Sequence, residues 1–282
     1  MSKVTVGLLH PGEMGAAVGR CLAAAGHEVL WTDQGRSPAT RERAGAAGLK
    51  AAGIDDIAAR SDVVFSVCPP HAALNVAREV AGAGFGGLYV DANAIAPATS
   101  GEVAAVVGAS GAEFVDGGII GTPPVAPGFI RLYLSGARAE EIRGLFGGSD
   151  VDARVITGAG DLAASGVKMA YASWTKGSTA LVLAARALAR AEGVEEVLLA
   201  EWAASQPGRE QQSERAAGSA AGKGWRWVAE MEQIAATMAG AGLPDGFHLA
   251  AAEIYRRSPH DAGASADAVL AAIQTGPRRS DR

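Results

Sequence analysis

Short runs of apolar, β-branched residues alternate with segments of helical periodicity over the first 160 residues of the chain. Strands that alternate with helices are typical of a parallel sheet covered by helices on both faces. We therefore predict an α/β domain with a mostly parallel, doubly wound sheet over residues 1–160. The predicted strands are Val4–Leu9, Glu28–Thr32, Asp62–Val67, Gly87–Asp91, Glu113–Ile120, Arg131–Ser135 and Ala153–Thr157.

Strand patterns stop near Gly160, and the remainder of the chain has helical periodicity only. A long, alanine-rich helix without internal proline is predicted from Ala163 to about Glu192. Glycine and proline then mark the ends of shorter helices, with Gly222-Lys223-Gly224 predicted to be one such break. Residues 161–282 are therefore expected to form an all-α domain. Its further helices are predicted at Val194–Ala204, Glu210–Ala221, Gly224–Ala239, Phe247–Arg257 and Ala266–Gln274.

Charge and cysteine content exclude several classes of protein. The 282 residues carry a formal net charge of −5, which argues against nucleic acid or an anionic membrane as the main partner. No apolar run approaches the length of a membrane span. The two cysteines, Cys21 and Cys68, suit neither a disulfide framework nor a metal site, and the histidines show no metal-binding spacing. The expected protein is a cytoplasmic, enzyme-sized chain without metal.

The turn after the first predicted strand carries the strongest functional signal. The run Val4–Leu9 ends at a glycine-bearing turn, and a helical pattern follows at once. Gly12 and Gly15 occupy the second and third positions of G-x-G-x-x-G, while His10 replaces the first glycine. Such a strand, turn and helix bind the pyrophosphate of a dinucleotide in Rossmann domains; an ordinary turn with helix-packing glycines is the alternative. The cofactor-binding residues predicted here are His10, Pro11, Gly12, Glu13 and Met14.

Residues after the second predicted strand give conflicting signals about the cofactor. Asp33 lies about 20 residues beyond the glycine turn, where an acid binds the ribose 2′-hydroxyl of NAD. Arg36 and Ser37 follow, and a guanidinium with a hydroxyl suits the 2′-phosphate of NADP. We favour NADP over NAD, which requires Asp33 to turn away. In the alternative interpretation Ser37 only caps a helix that begins with Pro38, and the arginines are solvated.

Two further strand ends are expected to line the cofactor. Ligands of open α/β sheets bind beyond the carboxyl ends of the strands, which places Cys68, Pro69 and Pro70 after one strand and Asn93 after the next. Asn93 is predicted to reach a ribose or the nicotinamide. Cys68 is interpreted as a small buried apolar residue rather than a nucleophile.

Four motifs resemble those of the β-hydroxyacid dehydrogenase and 6-phosphogluconate dehydrogenase superfamily, most closely a phosphogluconate-dehydrogenase-like branch. Gly7–Gly15 resembles G-x-I-G-x-G-x-M-G, and Asp91–Pro97 resembles D-x-S-T-x-x-P. Asp116–Pro123 stands where the family has D-A-P-V-S-G-G. Gly166–Ala172 resembles the start of G-x-x-K-x-x-x-N, with Lys168 at the lysine. The resemblance implies a Rossmann domain with a helical domain, an NAD(P) cofactor, catalysis by Lys168 and a homodimer.

The departures from these motifs concern the substrate. Ile120 replaces the serine of the substrate loop, and Ala172 replaces the asparagine that follows the lysine. In phosphogluconate enzymes a histidine stands at the position of Tyr171, and its loss argues against decarboxylation. A pocket that is more apolar than the family's is expected between this loop and the helical domain. Its predicted residues are Gly118, Ile119, Ile120, Thr122, Pro123 and Thr175.

Lys168 has a chemical role of its own in such a site. Hydride transfer to a carbonyl leaves an oxygen that needs a proton, and burial disfavours the ammonium form of a lysine. Lys168, Tyr171 and Thr175 lie at i, i+3 and i+7, on one face of the predicted helix. An ordinary lysine extended along a core helix is the alternative.

Three functions follow from this pattern. The preferred hypothesis is an NAD(P)-dependent oxidoreductase acting on a small hydroxy-acid or carbonyl-type substrate, with Lys168 as general acid/base. The second is an imine reductase in which Tyr171 donates the proton. The third is a protein that binds NAD(P) without catalysis.

Overall fold

The computed structural model describes residues 3–123 and 128–275. The chain divides into two compact units, Met1–Met169 and Ala170–Arg282. The division falls inside the long helix α7, Ala163–Ala191. In the described part of the chain, no helix is both long and apolar enough to cross a membrane.

The first unit contains an eight-stranded sheet of order β3-β2-β1-β4-β5-β6-β7-β8. The seven predicted strands are confirmed with ends that shift by about two residues or less. The short β3 was missed, because two exposed residues carry no hydrophobic pattern. The strands are β1 Thr5–Leu9, β2 Glu28–Trp31, β3 Lys50–Ala51, β4 Val63–Ser66, β5 Leu88–Asp91, β6 Glu113–Gly121, β7 Ile130–Ser135 and β8 Val151–Val155.

All neighbouring strands are parallel except β6 and β7, which pair antiparallel with Gly121 opposite Ile130. The connection from Gly121 to Ile130 is too short for the crossover that a parallel pair needs. Gly121 has a φ of +123°, and a Cβ there would lie 1.9 Å from the carbonyl oxygen of Phe129. Only glycine fits this position.

Helices cover both faces of the sheet, as the doubly wound pattern predicts. Leu8 and Leu9 are neighbours in β1, yet they are buried in different hydrophobic clusters on opposite faces. The helices of this unit are α1 Glu13–Ala24, α2 Pro38–Ala46, α3 Ile54–Arg60, α4 Ala73–Gly82, α5 Pro97–Gly108 and α6 Ala139–Gly144, with a 3₁₀ turn at Pro70–Ala72.

The second unit is helical, as predicted, but the expected break at Gly222-Lys223-Gly224 is wrong. One helix, α9, runs through these residues, and a Cβ on Gly224 would lie 3.3 Å from the ring of Tyr255. The glycine therefore allows α9 and α10 to pack closely. The helices of this unit after α7 are α8 Glu195–Ser205, α9 Arg209–Gly240, α10 Gly246–Arg257 and α11 Ala266–Thr275.

Candidate functional site

Three parallel strands, β1, β4 and β5, end in register at one edge of the sheet, and β6 continues past this edge to Gly121. Leu9 of β1 pairs with Ser66 of β4, Ser66 pairs with Asp91 of β5, and Asp91 pairs with Asp116 of β6. The predicted cofactor residues follow directly after β1, β4 and β5. The register thus brings them to a common edge, the usual ligand site of such sheets.

The glycine turn after β1 leaves room for a ligand at the start of α1. Gly12 precedes the helix, no side chain caps its N-terminus, and a Cβ on Gly12 would meet no atom within 4 Å. Glycine is needed at position 15 for a different reason: a Cβ on Gly15 would lie 2.5 Å from the carbonyl oxygen of His10. An open glycine beside the N–H groups of an uncapped helix fits a pyrophosphate.

His10 occupies an unusual backbone conformation, with a φ of +63°. The family's glycine adopts such a conformation without strain, whereas a histidine does so at some cost. Burial, together with the nearby Arg36 guanidinium, lowers the pKa of His10 to about 4. The imidazole is therefore neutral at pH 7. Its neighbour Pro11 is buried, and the Pro11 carbonyl accepts a hydrogen bond from Arg43.

A cleft of about 700 Å³ adjoins the turn on the β2 side. His10, Thr32, Gln34 and Arg36 line the cleft, together with residues of α3, of the 3₁₀ turn and of α4 and its end. This volume lies within the range of ligand pockets. Together with the open turn, the cleft fits the adenosine half of an NAD(P) molecule.

The two residues proposed to select NAD or NADP, Asp33 and Arg36, both lie in the β2–α2 loop, but their side chains have different surroundings. Asp33 forms a long ion pair with Arg41, with 3.9 Å between Oδ2 and Nε, while Arg36 lines the cleft. Ser37 caps α2, since its Oγ accepts a hydrogen bond of 3.3 Å from the Thr40 amide. The capping role considered for Ser37 is therefore present.

Cys68 and Asn93 belong to a buried network that joins the ends of β4 and β5. The Asn93 side chain accepts a hydrogen bond from the Cys68 amide and donates to Ser66 and to Asp91. Both amide hydrogens of Asn93 are thus used inside the protein, where the side chain ties the two strand ends together. Burial raises the pKa of the Cys68 thiol to about 12, which suits an inert residue.

Asp116 joins β6 to the start of α7, a role that sequence reasoning missed. Its carboxylate accepts hydrogen bonds from the hydroxyls of Ser100, Ser135 and Ser165 and from the Ser165 amide, at 2.5–3.2 Å. Burial raises the pKa of Asp116, while these donors act in the opposite direction. The serines lie far apart in sequence, so no local motif reveals the cluster.

Lys168 follows Ser165 by about one turn of α7. Gly118 of β6 faces this turn: a Cβ there would lie 2.5 Å from the Ala164 carbonyl oxygen and 3.2 Å from the Lys168 Cβ. The Asp116–Ser165 hydrogen bonds and the bare Gly118 together hold Lys168 beside β6, with its side chain half-buried.

Ile119 and Ile120 were predicted in a substrate loop, but the structure places them in a strand. Both belong to β6, pair with Leu132 and Arg131 of β7, and are only 6% and 4% exposed. Their apolar side chains complete the core, so they do not report the polarity of a pocket. Thr122 and Pro123 beyond the strand are exposed, and residues 124–127 lie outside the described residues.

The other predicted active-site residues lie on α7 in the second unit. Tyr171 is 46% exposed. The Thr175 hydroxyl donates to the Tyr171 carbonyl oxygen at 3.1 Å, a bond within the helix. Ala172, at the family's asparagine, is buried. The remaining predicted cofactor residues are Glu13, exposed at the start of α1, Met14, half-buried in α1, and Pro69 and Pro70, at the 3₁₀ turn.

Comparison with known proteins supports a dinucleotide site in the first unit. Residues 5–141 match the NAD binding domain of 6-phosphogluconate dehydrogenase, and residues 189–258 match a domain of unknown function, DUF1932. No curated protein sequence matches the chain.

Solved structures share the whole architecture. The conserved protein MTH1747, of unknown function but similar to 3-hydroxyacid dehydrogenases, is 25% identical, with 96% of this chain and 95% of that chain covered and a TM-score of 0.62. Mycobacterium tuberculosis 3-hydroxyisobutyrate dehydrogenase with L-serine is 18% identical, with 97% and 100% covered and a TM-score of 0.71. An imine reductase variant from Myxococcus stipitatus with NAD⁺ is 20% identical, with 96% and 99% covered and a TM-score of 0.57.

The sequence match places an NAD-binding domain over residues 5–141, and the two-part fold matches that of the 3-hydroxyacid dehydrogenases. The chain is a member of the β-hydroxyacid and 6-phosphogluconate dehydrogenase-like superfamily.

Proposed function

We propose that this protein is an NAD(P)-dependent oxidoreductase for a small hydroxy-acid or carbonyl-type substrate, with Lys168 as general acid/base. The observation that carries the proposal is the packing of Lys168 beside Gly118, just beyond the row of strand ends that also positions the glycine turn. A proton-transferring group is thereby anchored to the sheet that carries the cofactor turn.

The residues divide the chemistry as follows. Bound NAD(P) supplies the hydride acceptor or donor. Lys168 gives a proton to the substrate oxygen in reduction and removes one in oxidation. The Asp116–Ser165 hydrogen bonds fix the turn of α7 that carries Lys168. Gly118, Thr122, Pro123 and Thr175 remain the proposed substrate-binding residues.

NADP is the proposed cofactor in preference to NAD. Arg36 lines the cleft beside the glycine turn, whereas the Asp33 carboxylate faces Arg41. A carboxylate at the ribose would repel a 2′-phosphate, and pairing with Arg41 offsets part of that charge. Asp33 is the residue through which NAD would be favoured, because a carboxylate there could bind the 2′-hydroxyl.

Imine reduction is the second candidate, and Tyr171 supports it. Its phenol is exposed and lies one turn after Lys168 on α7, and Ala172 offers no amide to orient a hydroxy-acid. In this reaction the phenol of Tyr171 would protonate the nitrogen of the C=N bond.

The decisive experiment compares Lys168→Ala with wild type on panels of 3-hydroxyacids and cyclic imines. If Lys168 transfers the proton, kcat falls about 10²- to 10⁴-fold on the hydroxyacids, while the Kd for NADPH stays within about twofold. Lys223→Ala is the matched control, because Lys223 is exposed on α9. Unchanged turnover in Lys168→Ala would contradict the proposed role.

The same panels separate the other hypotheses. Turnover of imines that is lost in Tyr171→Phe and kept in Lys168→Ala would establish the imine reductase. Cofactor binding without turnover of any substrate would establish a protein that binds NAD(P) without catalysis.

We also propose a homodimer formed through α7. Trp174, Leu181 and Leu188 follow one another at intervals of seven along this helix and are 75%, 54% and 62% exposed. A stripe of large apolar side chains along an exposed helix face is typical of a protein interface.

A further inference from the structure

His10 and Arg36 are two nitrogen-rich side chains without partners in the same cleft. Neither the imidazole nor the guanidinium makes a hydrogen bond to a side chain or backbone group among the described residues, although both line the cleft beside the glycine turn. Buried polar atoms are rarely left unsatisfied, and His10 Nδ1 and Arg36 Nε are buried. We therefore expect a ligand in the cleft to accept hydrogen bonds from these two side chains.

The backbone of His10 points to the same conclusion. Among the described residues it is the one non-glycine residue with a positive φ, and it replaces the family's glycine. The histidine therefore adds strain that the glycine avoids, while its side chain gains no partner within the protein. Strained residues concentrate at ligand sites, where the strain serves binding.

Charge indicates which ligand suits the two groups. The charged residues that line the cleft are Arg36, Asp55 and Glu79, and Arg36 is the one whose charge acts on His10. Arg36 is therefore the charged neighbour of the imidazole, whereas Asp55 and Glu79 belong to α3 and α4. The nearby Asp33 forms its ion pair with Arg41, not with Arg36. A doubly charged phosphate would accept hydrogen bonds from both side chains and neutralise the guanidinium.

We propose that His10 and Arg36 together bind the 2′-phosphate of NADPH, which makes His10 a specificity-determining residue of the cofactor site. The inference rests on the proposed NAD(P) function. Both residues line the cleft, so a phosphate bound there would lie beside the imidazole and the guanidinium.

The test measures the Kd values of NADPH and NADH by fluorescence titration, with adenosine 2′,5′-bisphosphate and AMP as competing probes. In His10→Gly, which restores the family's residue, binding of NADPH and of the bisphosphate weakens about 10- to 100-fold. NADH and AMP change by less than about twofold. Arg36→Gln behaves in the same way, and His260→Ala, a change at an exposed histidine, alters neither.

His10→Asn is the second variant, because asparagine also tolerates a positive φ and secures a folded protein if the glycine does not. Equal weakening of NADPH and NADH would overturn the proposal, since His10 would then contact the part common to both. So would unchanged NADPH binding in both variants. If wild type binds NADH but not NADPH, the inference falls and the oxidoreductase proposal stands; if it binds neither, both fall.

Discussion

Single glycines in the cofactor turn have separable duties. An added Cβ at Gly12 would meet no atom within 4 Å, whereas Gly15 allows the chain to pass the His10 carbonyl oxygen. The sequence motif treats both simply as glycines. Only the contacts around each position show which of the two glycines the fold itself requires.

Gly12→Ala should retain the stability of wild type and lose cofactor affinity. Gly12 has an extended conformation that alanine adopts, with φ −64° and ψ −169°, and its Cβ would meet no atom. The methyl group would instead displace the pyrophosphate, so we expect the Kd for NADPH to rise more than about tenfold. Gly15→Ala is the contrast, because its Cβ collides with backbone and should cost about 1–3 kcal/mol in urea unfolding. Equal cofactor affinity in Gly12→Ala and wild type would contradict this assignment.

Asp91 predicts a pH dependence of stability. Complete burial raises its pKa from 3.8 to about 7, although Asn93 donates two hydrogen bonds to it. Because the folded state binds this proton more tightly than the unfolded state, its contribution to stability is lost as the pH rises through 7. We expect the free energy of unfolding to fall by about 1 kcal/mol between pH 6 and pH 8 on this account.

Urea unfolding of wild type and Asp91→Asn at both pH values isolates this contribution. The variant loses part of the network and is less stable, but the difference between pH 6 and pH 8 should shrink by about 1 kcal/mol. His10 acts in the opposite sense, because its pKa is lowered and stability falls as the pH drops below about 6.5. Its contribution is common to both proteins and cancels. An unchanged pH difference in Asp91→Asn would show that Asp91 is already ionised at pH 6.

At the scale of elements, β6 and the start of α7 form the support of the site. Asp116 binds three serine hydroxyls and the Ser165 amide, and Gly118 lets the helix lie against the strand. The strand and the long helix were both predicted from their periodicity. The contact between the strand and the helix could not be predicted, because it depends on three serines that lie far apart in the sequence.

Asp116→Ala should unfold more easily and position Lys168 poorly. The change leaves the Ser100 and Ser165 hydroxyls and the Ser165 amide without their acceptor, which we expect to cost about 2–4 kcal/mol. In Asp116→Asn, which keeps the shape, kcat should fall while the Kd for NADPH holds. Urea unfolding and turnover measure the two effects. Asp152→Asn is the control, since Asp152 forms an exposed ion pair with Arg154 and should change stability by less than about 1 kcal/mol. A kcat for Asp116→Asn equal to that of wild type would contradict the positioning role.

At the scale of the whole molecule, the α7 stripe predicts how two chains associate. Light scattering of wild type at micromolar concentration should give twice the mass of the chain. Leu181→Asp places a charge in the middle of the stripe and should shift the protein to monomer, because an unpaired charge in an apolar interface is costly. Leu243→Asp is the matched control, because Leu243 and Leu181 are both 54% exposed. This variant should remain a dimer. A monomeric wild type would contradict the prediction.

The fold class follows from the sequence alone, because strand and helix periodicities are local properties that each segment carries by itself. The glycine turn, Lys168 on its helix and membership of the superfamily follow in the same way. Tertiary structure decided the rest: that α9 continues through Gly222 and Gly224, that Ile119 and Ile120 fill the core, that Asn93 ties two strands, and that Arg36 rather than Asp33 lines the cleft. These outcomes depend on which side chains meet across the fold. Such meetings are set by packing between distant segments, which the spacing of residues along one segment does not encode.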